Sequence, residues 1–230
     1  MSNSDLTRMD FLVASRLYDT SARKLYNRLH HDLENIPRKL RFRGKKHNEL
    51  PEILEIGAGS GEHFDFVKYP FKRYVMTDIS NLGIESISKL LQKDKVLFHL
   101  ADVEDLPFRD GEFNRIVATC VLAHVENPSQ ALKELRRVLR VNGTASVFLS
   151  ADPSILLRLV RFLVVKPKMK NLPLDYAFYN ALAHRNSCSN LITIAKNIFE
   201  SDRVEFCYKP FRLPFWNIST HIIMHIRKDN

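Results

Sequence analysis

The sequence contains few of the residues that would indicate a secreted, metal-binding or membrane-spanning protein. Its three cysteines, Cys120, Cys188 and Cys207, are odd in number and widely spaced, with no C-x-x-C pair. They indicate neither a disulfide framework nor a zinc site, so no metal is expected. The longest apolar stretch, residues 155–165, is too short to cross a bilayer and contains two arginines. The polar N-terminus lacks an apolar signal segment, which favours a cytoplasmic protein.

Glycine is also scarce, and its placement is informative. Three of the seven glycines, Gly57, Gly59 and Gly61, alternate within the segment LEIGAGSG, which follows an apolar run. Glycine permits the φ values of a tight turn from a strand into a helix, and it lacks the Cβ that would block a ligand. The segment therefore predicts a turn on which a ligand with a sugar and a polar tail lies against bare backbone.

Acidic residues accompany this turn. Glu55 stands two positions before the first of the three glycines, while Asp78 and Asp102 end the next two apolar runs. A carboxylate at the carboxyl end of a parallel strand can accept both hydroxyls of a ribose. A pyrophosphate prefers neutral or positive surroundings at a helix N-terminus. The acids therefore favour adenosylmethionine over a dinucleotide, with an NAD-dependent oxidoreductase or a non-catalytic nucleoside-binding module as alternatives.

The chain alternates between predicted strands and helices, which is typical of a parallel sheet with crossover helices. Strands are predicted at residues 52–56, 74–77, 96–100, 115–119 and 144–149, and a final hairpin at 203–211 and 219–227. Helices are predicted in the first 40 residues, after Gly61, and at 81–92, 128–140, 155–165, 174–183 and 190–199. Asn142 and Gly143 are predicted to close the helix before them as a left-handed C-cap.

The length of 230 residues fits a single domain. Its predicted parts are an N-terminal helical cap at 1–50, a cofactor-binding core at 51–150, a helical substrate lid with the last core helix at 151–202, and a C-terminal β-hairpin at 203–230.

Four motifs occur in order between residues 51 and 150: LEIGAGSGEH, VMTDIS, ADVEDLPFRDGEFNRIVA and HVENPSQALKELRRVLRVNGTASVFLS. Together they resemble the class I S-adenosylmethionine-dependent methyltransferases, in particular the small-molecule branch that includes the ubiquinone and menaquinone methyltransferases. The resemblance implies an α/β, Rossmann-like fold with a seven-stranded, mostly parallel sheet of order 3-2-1-4-5-7-6, helices on both faces and a helical lid. It also implies S-adenosyl-L-methionine as the cofactor.

The resemblance further implies which residues bind the cofactor. Gly57, Ala58, Gly59 and Gly61 would contact its nucleoside and methionine portions, and Glu55 would order the turn and the charged end of the ligand. The other expected contacts are Asp78 with the ribose, Ile79 with the adenine face, Asp102 and Val103 with the adenine edge, Thr119 and Cys120 with the methionine portion, and Tyr18 over the sulfonium. Structural alternatives stay open: a helix cap for Asp78, a turn residue for Asp102 and a core residue for Tyr18.

Two histidines are the candidate catalytic residues. The methyl donor is already activated, so the enzyme supplies alignment and desolvation, and a base only where the acceptor carries a proton. His124 follows the fourth predicted strand, and His184 lies in the lid region. An imidazole titrates near neutrality, which suits a general base. Both histidines also suit a purely structural role.

The charge distribution bears on the acceptor. Residues 1–50 carry 11 basic and 6 acidic side chains, residues 51–150 carry 12 and 14, and residues 151–230 carry 12 and 6. Basic flanks favour a small anionic acceptor, such as a sugar nucleotide, a polysaccharide precursor or a phosphorylated metabolite, although ordinary solvated helix faces explain them equally well.

Other acceptors stay open. The apolar side chains of the lid suit an isoprenoid quinone or another lipid, and with it a peripheral membrane contact: Leu156, Leu157, Val160, Phe162 and Leu163. The sequence TCVLAH after the fourth strand lacks the acceptor motif of nucleic-acid amino methyltransferases, which argues against nucleic acid. The oligomeric state is left undetermined by the sequence.

Overall fold

Within the described residues, thirteen helices and strands with defined bounds follow one another. In this computed structural model, the described residues are Met9, Val13, 23–41, 49–169 and 175–229. The elements are α1 Arg23–Glu34, β1 Glu52–Ile56, β2 Arg73–Asp78, α2 Ile84–Leu91, β3 Val96–Leu100, β4 Phe113–Ala118, α3 Pro128–Val138, β5 Leu139–Ser150, α4 Ile155–Val160, α5 Tyr176–Ala183, α6 Cys188–Ile198, β6 Arg203–Lys209 and β7 His221–Arg227. Short 3-10 helices span Arg38–Leu40, Glu62–Phe66, Lys166–Met169 and Trp216–Ile218, and a π-helical turn spans Arg161–Val165.

The strands form one sheet of order β3-β2-β1-β4-β5-β7-β6. The first five strands pair in parallel, and β7 lies antiparallel between β5 and β6. Central parallel strands are covered on both faces, and β1 and β2 accordingly bury every residue except Glu52, Arg73 and Asp78. The predicted Rossmann-like fold and strand order are confirmed.

Helices cover both faces of the sheet, as predicted. On one face, Leu132 and Leu135 of α3 and Leu191 of α6 pack with buried strand residues such as Leu54 and Ile116. The opposite face carries two smaller apolar clusters. Ile87 of α2 packs there with Ile53 and Tyr74, and Leu29 and Leu33 of α1 pack with Val117 and Ile223. None of the helices in the described part of the chain has the length and apolar character of a membrane span.

The helix predicted at 128–140 ends earlier, and its predicted C-cap is wrong. Asn142 does have a left-handed backbone, with φ 66°, but it lies inside β5. Its N–H donates to the carbonyl of Lys228, and the N–H of Lys228 donates to the carbonyl of Gly143. A step of two residues along β4, from Phe113 to Arg115, corresponds to a step of five along β5, from Leu139 to Thr144. The left-handed Asn142 therefore belongs to a bulge in β5. Its N–H is bonded to Lys228, as in a paired strand, and the residue does not end a helix.

The strands predicted at 52–56 and 96–100 have the predicted bounds, and the other predicted elements within the described residues are found with shifted bounds. The helix after Gly61 is a short 3-10 helix, and the helix predicted at 155–165 divides into α4 and the π-helical turn. Asp175 and Ser187 cap α5 and α6 through side-chain oxygens that accept backbone N–H bonds, which fixes where these helices begin. Most of the predicted N-terminal helix before Arg23, and Leu174, lie outside the described residues.

A buried ion pair holds the end of α1 on the sheet. Glu34 Oε1 lies 2.9 Å from Arg115 Nη2 and 3.0 Å from His63 Nε2. Arg115 is a buried residue of β4, and its guanidinium also donates to the carbonyls of Ile116 and Leu33. Burial opposes the charge of Glu34, but Arg115 and His63 outweigh it and lower the pKa of Glu34 to about 2.

Replacing Glu34 by glutamine is expected to lower the free energy of unfolding by about 3 kcal/mol, because Arg115 would keep a buried charge without its counter-ion. Urea denaturation at neutral pH measures this. The matched control is Asp110→Asn, since Asp110 is exposed beside Arg137, and it should change the unfolding free energy by less than about 1 kcal/mol. Equal effects of the two substitutions would contradict the assignment.

Candidate cofactor and acceptor site

The turn after β1 leaves an uncovered stretch of backbone, as predicted. The N–H groups of Gly57 and Ala58 both donate to the carbonyl of Thr77, each at 2.9 Å. Gly57, Gly59 and Gly61 have φ values of 70°, 53° and 80°. A Cβ placed on Gly59 would meet no heavy atom within 4 Å, so this glycine borders open space. A ligand can therefore approach the backbone at this position.

Gly83 is a site residue that the sequence analysis missed. A Cβ on Gly83 would lie 1.9 Å from the carbonyl oxygen of Gly59, so only glycine lets the start of α2 pack against the turn. The available signal was a glycine directly before a helix, but its partner lies 24 residues earlier in the chain. Local sequence does not reveal such a contact.

Asp78, at the end of β2, joins the turn to the next loop. Its Oδ2 accepts the N–H of Gly59 and its Oδ1 accepts the N–H of Ser80, both at 3.0 Å. The bond to Ser80 is a local turn interaction and not the helix cap considered as the alternative, because α2 begins at Ile84 with Gly83 before it. The bond to Gly59 places the carboxylate beside the open backbone. The side chain of Ile79 is exposed next to it. The predicted contacts of Asp78 with ribose and of Ile79 with adenine stay predictions.

The predicted adenine contacts lie beyond β3. Asp102 is exposed, and its Oδ1 accepts the N–H of Glu104 at 2.9 Å, which is the turn interaction that was considered as its alternative. The side chain of Val103 is buried in the main apolar cluster, where it fixes the position of this loop. The contacts of Asp102 and Val103 with adenine stay predictions.

The end of β4 packs directly behind the glycine turn. The hydroxyl of Thr119 donates to the carbonyl of Gly57 at 3.0 Å. Cys120 is exposed and has a left-handed backbone with φ 54°. A Cβ on Gly57 would lie 2.3 Å from the side chain of Val121. The carboxyl ends of β1, β2 and β4 therefore form one crevice, which is where ligands bind in open α/β sheets.

Glu55 and Tyr18 are the two remaining predicted cofactor residues. Glu55 is fully buried, and its Oε2 accepts the hydroxyl of Tyr74 at 2.7 Å, on the face of the sheet covered by α2. Its other oxygen has no hydrogen-bond partner among the described residues. Burial raises the pKa of Glu55 to about 7. Its role toward the ligand stays a prediction. Tyr18 lies outside the described residues.

The two candidate catalytic histidines meet in the structure. The ring centroids of His124, after β4, and His184, after α5, are 4.9 Å apart in an edge-to-face arrangement. Asn186 holds the two segments together, because its Nδ2 donates to the carbonyls of Leu122 and Val125 at 3.0 and 2.8 Å. Residues 60 positions apart in the sequence thus share one site.

Asp152 and Arg161 complete this group, and the sequence analysis identified neither. Asp152 Oδ2 lies 2.6 Å from His184 Nδ1, and it also accepts the hydroxyl of Ser150 at 2.7 Å. Arg161 donates to both carboxylate oxygens of Asp152, at 2.7 Å from Nη2 to Oδ2. Burial opposes the charge of Asp152, but His184 and Arg161 hold its pKa well below the usual range. A carboxylate at Nδ1 orients an imidazole and leaves Nε2 to accept a proton.

His124 has a different environment from His184. Burial, together with the neighbouring His184, lowers the pKa of His124 to about 3. Its imidazole is therefore neutral at physiological pH and binds a proton only weakly.

The aromatic residue that α1 brings to this region is Tyr26. It packs with the apolar cluster of the lid, whose members include Val165, Met169 and Tyr179. Burial raises the pKa of the Tyr26 hydroxyl far above its usual value, and nearby Cys120 acts in the same direction. Tyr26 therefore lies between the lid and the end of β4.

The sequence is similar to those of known methyltransferases. Residues 54–147 match the methyltransferase domain family. The tRNA U34 carboxymethyltransferase of Nautilia profundicola is 31% identical over 57% of this chain and 46% of its own length. The demethylmenaquinone methyltransferase of Clavibacter sepedonicus is 31% identical over 45% of this chain and 42% of its own length. The chain thus spans less than half the length of these curated relatives.

Among solved structures, the N-methyltransferase NodS of Bradyrhizobium japonicum, in complex with S-adenosyl-L-homocysteine, superposes with a TM-score of 0.60. It covers 94% of this chain and 91% of its own, with 16% identity, so the likeness is one of fold. The family match shows a methyltransferase domain at residues 54–147, and the shared fold is that of the class I S-adenosylmethionine-dependent methyltransferases. The predicted resemblance is confirmed, and the predicted cofactor, S-adenosyl-L-methionine, is the one this class uses.

The substitution Asp78→Ala is expected to weaken the binding of S-adenosylhomocysteine by about tenfold to a hundredfold, because it removes the carboxylate beside Gly59. Calorimetric titration measures the affinity, and circular dichroism checks that the fold is retained. Asp94→Ala, which removes an exposed carboxylate from the turn before β3, is the control and should bind as the wild type does. Unchanged affinity in Asp78→Ala would remove the ribose assignment.

Proposed function

We propose that this protein transfers a methyl group from S-adenosyl-L-methionine to a small acceptor by in-line displacement. The observation that carries the proposal is a direct connection between the glycine turn and the histidine pair. Val121 packs against Gly57 of the cofactor turn, and its carbonyl accepts the N–H of His124, whose ring contacts His184. The glycine turn and Asp78 suit the nucleoside, and the histidine pair suits the acceptor.

The residues of the site fit this cofactor. Bare backbone at Gly59 and the carboxylate of Asp78 would hold the nucleoside, and Thr119 and Cys120 would border the methionine portion. When bound, S-adenosylmethionine supplies an electrophilic methyl group. The protein aligns the acceptor with it and excludes water. Tyr26 and the lid cluster supply the apolar cover on that side.

Where the methyl acceptor carries a proton, the geometry favours His184 as the base that removes it. Asp152 orients its ring through Nδ1 and stabilises the positive charge that the ring gains. Arg161 lies 3.2 Å from the same nitrogen and holds Asp152 in place. His124, with a pKa of about 3, is a poor base at neutral pH and serves as a neutral neighbour of the acceptor.

For the acceptor, we propose a small anionic molecule such as a sugar nucleotide, a polysaccharide precursor or a phosphorylated metabolite. The excess of basic over acidic side chains in residues 151–230, 12 against 6, supports it. A quinone or other lipid is the second candidate. Exposed apolar side chains on the lid, among them Phe162, Leu163 and Phe178, favour it, as does the similarity to a demethylmenaquinone methyltransferase.

A metabolite extract incubated with methyl-labelled donor and analysed by mass spectrometry tests the activity and the acceptor class together. We expect label in a water-soluble anionic product, and much less label with Asp78→Ala at a donor concentration that does not saturate the variant. Label confined to the lipid fraction would favour the second candidate. Absence of label from both fractions would contradict methyl transfer, as would a melting temperature raised by NAD and not by S-adenosylhomocysteine.

The substitution His184→Gln is expected to slow turnover by about 10² to 10⁴ fold, the usual contribution of a general base, with little change in cofactor affinity. His124→Gln should have a smaller effect, because a buried imidazole of such low pKa accepts few protons. Steady-state rates with the identified acceptor measure both. His99→Gln, which alters an exposed histidine of β3, is the control. Wild-type turnover in His184→Gln would leave His184 with a structural role only.

A further inference from the structure

One face of residues 155–163, which comprise α4 and the start of the π-helical turn, is apolar and exposed. Ile155, Leu159, Phe162 and Leu163 recur at intervals of four, three and one residues, which places them on one side of a helix. Their exposed fractions lie between 51% and 72%. Helices of soluble proteins usually bury such a stripe against the core, but here Val165, at the end of the π-helical turn, is buried instead. No described residue covers the stripe, so it indicates a contact with something beyond the described part of the chain.

A second set of exposed apolar residues continues this face. The loop between β6 and β7 exposes four large side chains: Phe211, Leu213, Phe215 and Ile218. The loop is fixed to the helix, because the 3-10 helix Trp216–Ile218 contacts α4 and the hydroxyl of Ser154, the cap of α4, donates to the carbonyl of Ser219. We call residues 155–163 and 211–218 together the apolar surface.

The two segments that form the apolar surface carry charge of one sign. No aspartate or glutamate occurs between Pro153 and Leu174 or between Phe206 and Lys228. Arg158, Lys166 and Arg212 are exposed within these two segments. A second copy of the chain meeting this face symmetrically would bring like charges together, which disfavours self-association. Large apolar side chains flanked by cations instead match the interface of an anionic bilayer.

We propose that the apolar surface docks on the surface of a bilayer that contains anionic lipid. Leucine and phenylalanine side chains enter the region between head groups and acyl chains, and the arginines and lysine contact the lipid phosphates. The contact is peripheral for the described part of the chain, since no helix there could span a membrane. The proposal does not depend on the methyl acceptor. Membrane binding is measured without donor or acceptor, so the proposal holds even where the proposed methyl transfer fails.

Cosedimentation with vesicles tests it. We expect the full chain to bind vesicles of phosphatidylcholine and phosphatidylglycerol, to bind pure phosphatidylcholine less, and to dissociate as salt is raised. Leu163→Glu should reduce binding by about tenfold or more, because a charge replaces an inserted side chain. Leu97→Glu is the matched control: Leu97 is an exposed leucine of β3, at the opposite edge of the sheet, and its substitution should leave binding unchanged.

A second variant separates the two contributions. Arg158→Gln keeps the apolar stripe, so it should weaken binding to anionic vesicles and leave the weak binding to neutral ones unchanged. Failure of the wild-type chain to sediment with anionic vesicles would overturn the proposal, as would equal losses in Leu163→Glu and Leu97→Glu. A dimer in solution that Leu163→Glu converts to a monomer, without vesicle binding, would also overturn it and assign the face to a second copy of the chain.

Discussion

The guanidinium of Arg115, buried within β4, determines where α1 lies. It binds the carboxylate of Glu34 and the carbonyl of Leu33 at the end of that helix. Removing two charges from water costs several kcal/mol, and only close geometry with further hydrogen bonds offsets it, so the pair tolerates few other positions of α1. Because a helix is rigid, fixing its end also places Tyr26, two turns earlier, between the lid and the end of β4.

Asp152 fixes the position of neighbouring segments on the other side of the crevice, as Arg115 does for α1. It stands directly after β5, and its carboxylate joins Ser150, Arg161 after α4 and His184 after α5. A single partly buried carboxylate thus joins the end of β5 to two segments that lie farther along the sequence. The same carboxylate positions Arg161, in the segment after α4, and the ring of His184, so the positions of these two segments are physically linked.

The sheet and the glycine turn could be predicted from the sequence because their signals are local. Apolar runs of strand length mark each strand, and the alternating glycines mark the turn. The site's polar contacts could not, because they join distant residues: Asp152 with His184, and Gly83 with Gly59. Asn142 shows the same limit, since its left-handed backbone suits both a helix end and a bulge, and only pairing with Lys228 decides between them.

The position of β7 between β5 and β6 has a consequence for how the chain is made. Strand β6 precedes β7 in the sequence but touches β5 only through it, so β6 has no place in the sheet until residues 221–227 have left the ribosome. Until then β5 is an open edge whose unpaired backbone N–H and C=O groups, from Thr144 to Ser150, are available to other nascent chains. Synthesis of the last apolar strand is thus the step that removes the aggregation hazard.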